Sequence, residues 1–137
     1  MNPYLNFSGN CRQAFDAYQA IFGARLLFAH SWGESPMAAD APGGNPDAIM
    51  HATLQFPDGT LLMGADCPAQ QCQPVQGVSL SVNAGSIEEA ERLFAALSQG
   101  GQVTMPLEPT FWAARFGMCT DAYGVPWMVN CEMRPPE

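Results

Sequence analysis

Apolar and polar positions along the chain change period in a fixed order, and that order occurs twice. Tyr4-Leu5-Asn6-Phe7 alternates and predicts a short strand. Cys11, Ala14, Phe15, Tyr18, Ile21 and Phe22 then recur at helical spacing, with Asn10 and Gln13 as a predicted capping box and Gly23 as a left-handed cap. Arg25 to Trp32 is apolar and strand-like. Gly33 to Asp47 is broken by Pro36, Pro42, Gly43-Gly44 and Pro46 and predicts a long loop, of a kind that is usually functional or mobile. Ala48 to Phe56 and Thr60 to Asp66 predict a hairpin turning at Pro57-Asp58-Gly59.

The second copy follows a Pro- and Gln-rich linker over Cys67 to Gln76. It runs through a strand at Gly77 to Val82 and a helix entered by a Ser86/Glu89 capping box. Three strands follow, at Gln102 to Glu108, Arg115 to Thr120 and Pro126 to Glu132. The helix starts at Asn10 and Ser86 lie 76 positions apart, but the turn glycines Gly59 and Gly124 only 65. The Gly33 to Asp47 loop accounts for the extra length of the first copy. The expected fold class is α+β: two βαβββ modules, about 1–66 and 77–137, within one domain. Two half-size units that each expose an apolar sheet face must stack to bury it, and the concave seam between them is the natural place for a site.

With 137 residues the chain can bury a real core, and its 47% apolar content contains no run long enough to span a membrane. The amino terminus lacks a basic region followed by an apolar stretch, so no secretory signal is expected. A net charge of −8, with five Arg and no Lys, argues against nucleic acid and anionic membranes as partners. Cys11, Cys67, Cys72, Cys119 and Cys131 form an odd set with no CxxC spacing, which reads as free thiols in a reducing, cytoplasmic protein.

Tyr4-Leu5-Asn6-Phe7-Ser8-Gly9-Asn10-Cys11 near the start, then Phe111-Trp112, Phe116-Gly117 and Asp121-Ala122-Tyr123-Gly124-Val125-Pro126-Trp127 near the end, carry a family resemblance over nearly the whole chain. The order and these motifs resemble the vicinal oxygen chelate superfamily of glyoxalases, bleomycin-resistance proteins and extradiol dioxygenases, and within it the PhnB-like branch. The resemblance implies an eight-stranded cup of mixed sheet and a homodimer. It also implies that, in metal-using members, ligands come from the first and last strands of each module, the closing carboxylate lying four residues after the turn glycine. Met63 and Met128 occupy those two positions here, and neither first strand holds His, Asp or Glu. Thioether sulfur is a poor substitute for the oxygen or imidazole donors of a hard divalent cation. No cofactor is therefore expected, and a divalent metal only through a non-standard site. Some members of the branch carry a methyltransferase label, but nothing here resembles a Gly-rich adenosylmethionine loop.

Strand alternation selects the side chains expected to line the seam. Ala52, Leu54 and Phe56 are the core set of their strand, leaving His51, Thr53 and Gln55 on the other face. Likewise Leu5 and Phe7 turn inward and Tyr4 and Asn6 outward, while Val78, Leu80 and Val82 go to the core and Ser79 and Ser81 to the seam. Met63, Met128 and Asn130 share the metal-ligand side, and Phe116 and Met118 are the counterparts of His51 and Thr53. His51 is either a proton-transfer group or a hydrogen-bonded structural histidine. Arg115 either anchors an anionic ligand or pairs with Glu108 or Asp121. Phe111 and Trp112 form a lid or plug the core. Asp121 and Gly124 shape a turn. Glu34 and Asp66 are the carboxylates able to serve His51 as partners. The leading expectation is a small-molecule site lacking the usual metal. The alternatives are a metal-dependent lyase, isomerase or dioxygenase of glyoxalase type using shifted ligands such as His51 and Glu34, and a drug-binding resistance protein.

Overall fold

A computed structural model describes residues 1–68 and 72–133; residues 69–71 of the predicted linker lie outside the described residues. The chain divides into two compact units, Met1–Pro74 and Val75–Glu137, each built as a four-stranded mixed sheet with one helix. The first contains β1 (Tyr4–Phe7), α1 (Cys11–Phe22), β2 (Arg25–Ser31), β3 (Ile49–Gln55) and β4 (Leu61–Asp66). The second contains β5 (Leu80–Ala84), α2 (Ile87–Ser98), β6 (Gln102–Glu108), β7 (Ala113–Thr120) and β8 (Pro126–Glu132). The sheet orders are β1-β4-β3-β2 and β5-β8-β7-β6, with the first strand parallel to the last in each and the other pairs antiparallel. Two βαβββ units are what the doubled hydrophobic pattern predicts.

Each helix buries its apolar stripe on one face of its own sheet. Cys11, Ala14, Phe15 and Tyr18 of α1 and Ala90, Leu93, Phe94 and Leu97 of α2 are buried. Close approach is possible because a strand glycine faces each helix. A Cβ on Gly64 would stand 2.9 Å from the tip of Phe15, and one on Gly117 2.9 Å from Phe94 and from the Leu107 backbone. The opposite face of each sheet carries no helix of its own unit.

The two helix starts differ. The N-terminus of α2 is capped as expected, Glu89 N–H donating to Ser86 Oγ at 3.1 Å and Gly85 N–H to Glu89 Oε2 at 2.9 Å. That of α1 is not. Asn10 makes no side-chain cap bond, and its Oδ1 is buried without a partner. Asp66, at the end of β4, takes over: its Oδ1 accepts from Gly9 N–H at 3.1 Å and Cys11 N–H at 3.0 Å, and its Oδ2 from Ile49 N–H at 2.8 Å. Its carbonyl accepts Trp32 Nε1–H at 3.1 Å. A buried carboxylate that outcompetes the local amide explains why the predicted Asn10/Gln13 capping box does not form.

Three further expectations need correction. The Gly33 to Asp47 loop is three short 3₁₀ turns, Trp32–Glu34, Ala38–Asp40 and Pro42–Gly44. Buried Trp32, Ala41 and Ala48 give it a small core of its own. The first strand of the second unit begins at Leu80 rather than Gly77: Gly77 has φ +76°, and Val78, placed in the core by simple alternation, is 63% exposed. Cys67 and Cys72 are not free thiols but a disulfide with Cα atoms 5.5 Å apart, which removes the thiol argument for a reducing compartment. Cys11, Cys119 and Cys131 are free and buried, as expected. Among the described residues no helix is long and apolar enough to cross a membrane.

Candidate functional site

On the first sheet, the face away from α1 gathers the sequence-selected side chains into a row. Parallel pairing sets Tyr4 beside Met63, and antiparallel pairing sets Met63 beside Thr53 and Thr53 beside Phe28. His51, two residues along β3 from Thr53, stands opposite His30 of β2. The alternation holds because Ala52 and Leu54, between these positions, are buried on the helix side.

His51 is held at both ring nitrogens. The Tyr4 hydroxyl lies 3.1 Å from Nδ1 and the Thr53 hydroxyl 3.3 Å from Nε2. A neutral imidazole donates through one nitrogen and accepts through the other, so the line Tyr4–His51–Thr53 has two proton arrangements, one the reverse of the other. The imidazole also lies between two rings, its centroid 5.5 Å from Tyr4 and 5.4 Å from Phe28. Thr53 is buried, whereas Tyr4 and Phe28 are 45% and 44% exposed, so the outer ends of the cluster are open to a ligand. Burial pushes the Tyr4 hydroxyl above its ordinary value, and the Cys11 thiol adds to the rise.

Neither carboxylate considered for His51 reaches it. Asp66 is spent on backbone N–H groups, as described. Glu34 lies 3.6 Å from Nδ1 of His30 and accepts from the Ser31 hydroxyl at 3.1 Å, a bond that holds this exposed carboxyl below its ordinary value. Of the other predicted lining residues in this unit, Asn6 stands exposed beside Ala65, and Gln55 accepts from Arg25 Nη2 at 3.2 Å.

In the second unit Met128, Asn130 and Phe116 lie on the face away from α2. Asn130 Nδ2 donates to Asn83 Oδ1 at 3.1 Å. Ser79 precedes β5 and pairs with no strand. Arg115 does not share a face with Phe116. It stands opposite Cys131, on the helix side, and donates to the Ala114 carbonyl at 2.7 Å rather than to Glu108 or Asp121. Adjacent residues of one strand point to opposite faces, so Arg115 and Phe116 cannot both line one surface. Phe111 and Trp112 are exposed rather than plugging a core, with Trp112 edge-on to Phe116 at 5.4 Å. Asp121 is structural: Oδ1 accepts Tyr123 N–H and Val125 N–H, both at 2.9 Å, and Oδ2 accepts Trp127 Nε1–H at 2.8 Å.

Sequence reasoning missed Phe28 and His30. A bulge between Leu26 and Phe28 resets the alternation of β2, so faces could not be assigned within that apolar run. The available signal was two histidines on neighbouring predicted strands.

The divalent metal that the sequence resemblance implies does not suit these donors. Met63 is flanked by Tyr4 and Thr53, and Met128 by Ser81 and Met118, so neither inherited position has imidazole or carboxylate beside it across the ladder. Among the described residues no group of three or more His, Cys, Asp or Glu is placed to hold a metal ion.

The comparisons agree with the fold. Residues 1–130 match the model of a family described as 3-demethylubiquinone-9 3-methyltransferase. Protein YjdN of Escherichia coli is 37% identical over 144 residues, covering 99% of this chain and 97% of that protein. Protein PA1353 of Pseudomonas aeruginosa has a crystal structure with TM-score 0.88 at 47% identity, covering 98% of each chain. The PhnB protein of Bacillus cereus follows at TM-score 0.82 and 25% identity, covering 96% of this chain and 98% of its own. A glyoxalase/bleomycin-resistance/dioxygenase domain from Frankia shares the fold alone, with TM-score 0.64 at 14% identity over 97% and 94% of the two chains.

Proposed function

This chain belongs to the family described as 3-demethylubiquinone-9 3-methyltransferase, and on that premise we propose that it is a PhnB-like member of the glyoxalase and bleomycin-resistance superfamily that binds a small organic ligand on the open face of its first sheet, without that superfamily's divalent metal. The observation that carries this reading is the Tyr4–His51–Thr53 line beside Met63. Where a metal-using relative needs a carboxylate, this chain offers a thioether and a reversible proton line. The proton chemistry is assigned to His51 through Tyr4: the Tyr4 hydroxyl receives the ligand's proton as it passes its own to Nδ1, while Nε2–H donates to the Thr53 hydroxyl, leaving an imidazolium and a deprotonated ligand. Methyl transfer, named in the family's description, has no support from the strand-to-helix turns, Ser8-Gly9-Asn10 and Gly85-Ser86, which are not Gly-rich loops.

Met63 supplies soft apolar contact, and Asn6 and Gln55 supply polar contacts at the rim. The assembly proposed is a homodimer, as the family resemblance implies, and the exposed Val103, Phe111 and Trp112 supply apolar surface for such pairing.

A thermal-shift screen of small organic compounds tests the reading. Compounds that stabilise the protein are expected to lose most of their effect in both His51→Ala and Tyr4→Phe. Stabilisation unchanged in both variants would overturn the placement of the site.

A further inference from the structure

The second sheet has its own counterpart of the Tyr4, Met63, Thr53 and Phe28 row. Across β5, β8, β7 and β6 it reads Ser81, Met128, Met118 and Met105, each paired with the next. Three of these four side chains are thioethers. Met118 and Met128 face away from α2, because the residues between them point the other way: Gly117 packs on Phe94, and Cys119, Trp127 and Val129 are buried. Met105 joins them as the β6 partner of Met118, between two register shifts of that strand. The row is not core filling. Met105 is 43% exposed, and Met118 and Met128 are half-buried.

Neighbouring strands lie about 4.8 Å apart, so the outer two methionines start about 10 Å apart with Met118 between them. Three rotatable bonds in each side chain let the outer sulfurs lean toward the central one. Thioether sulfur is a weak donor for hard divalent ions but a preferred donor for a soft monovalent ion such as Cu(I). The same Met128 that disqualifies a hard metal therefore suits a soft one.

We propose that Met105, Met118 and Met128 form a three-thioether site for a soft monovalent metal ion, Cu(I), with Ag(I) as its redox-inert equivalent. The site rests on the second sheet alone and does not depend on the ligand proposed for the first. Thiolates do not compete from the same sheet, since Cys119 and Cys131 are buried on the opposite face.

The test is titration of the full chain, labelled with ¹³C at the methionine methyl groups, with silver nitrate. The methyl signals of Met105, Met118 and Met128 are expected to move together and saturate at one equivalent, while those of Met37, Met50 and Met63 stay in place. Met118→Leu keeps apolar volume and is expected to weaken binding by at least about tenfold, given that even changes to the partners of metal ligands cost 10–100-fold. Met105→Leu, on the exposed edge strand, provides the same readout should the central substitution disturb folding. Equal shifts at all exposed methionines, no saturation at one equivalent, unchanged affinity in both variants, or silver consumed by thiols with the three signals unmoved would each overturn the proposal.

Discussion

The hydroxyl of Tyr4 lies 3.1 Å from Nδ1 of His51, linking the first strand of the sheet to its third across β4, which lies between them. The two residues are 47 positions apart, and only the order β1-β4-β3 brings them within reach. Thr53 completes the line at Nε2, so removing either hydroxyl leaves one ring nitrogen without its partner and biases which nitrogen carries the proton.

Tyr4→Phe is therefore expected to shift the ¹⁵N resonances of the His51 ring while leaving those of His30 unchanged. The stability cost is about 1 kcal/mol, the net worth of one such bond. Unchanged His51 resonances would show that the tautomer is set elsewhere.

Asp66 and Asn10 make a contrasting pair of substitutions. Asp66→Ala strands the N–H groups of Gly9, Cys11 and Ile49 and is expected to cost about 3 kcal/mol or more in urea unfolding. Asn10→Ala, which at an ordinary N-cap would cost about 1 kcal/mol, is expected to be neutral or stabilising, because its buried Oδ1 has no partner to lose.

Gly117→Ala forces a Cβ to within 2.9 Å of both the Phe94 ring and the Leu107 backbone. A loss of about 1–3 kcal/mol is expected from such overpacking. Gly64→Ala should cost less, since its closest contact is the outer tip of Phe15 rather than backbone. Equal midpoints in urea for Gly117→Ala and the parent would contradict the close packing of α2 on β7.

Stability should also fall in mild base. Burial, with Asp66 adding to it and Arg12 opposing it, pushes the Cys11 thiol up to about 12, and burial with Asp121 pushes Cys119 to about 11, from an ordinary 9.0. Above that ordinary value the unfolded chain releases protons that the folded one retains, so stability falls from about pH 9 upward until the folded thiols ionise. Urea unfolding at several pH values measures this, and Cys11→Ala is expected to flatten the fall. A pH-independent midpoint from neutrality to about pH 10 would contradict it.

The elements were legible because their signals are local: helical stripes in α1 and α2, alternation in β1 and β3, and turns at Gly59 and Gly124. So was the open face of β3, where Ala52 and Leu54 fix the phase and thereby place His51 and Thr53. What stayed hidden depended on long-range pairing. Nothing near Asn10 reveals that Asp66 would cap its helix, and a bulge in β2 conceals that Phe28 and His30 join His51. Arg115, weighed as an anchor for an anionic ligand, lies on the helix side because it neighbours Phe116, and neighbours in a strand point apart. The Cys67–Cys72 bond depends on how the chain returns beside Phe7 after β4, where Cys67 N–H donates to the Phe7 carbonyl at 2.9 Å.

The central claim, a ligand site without the superfamily's divalent metal, is tested most directly by elemental mass spectrometry of the purified, untagged protein before and after incubation with Zn, Mn, Fe and Ni salts. The account predicts that each metal stays well below one per chain and that His51→Ala changes nothing. About one metal per chain, lost in His51→Ala, would contradict it.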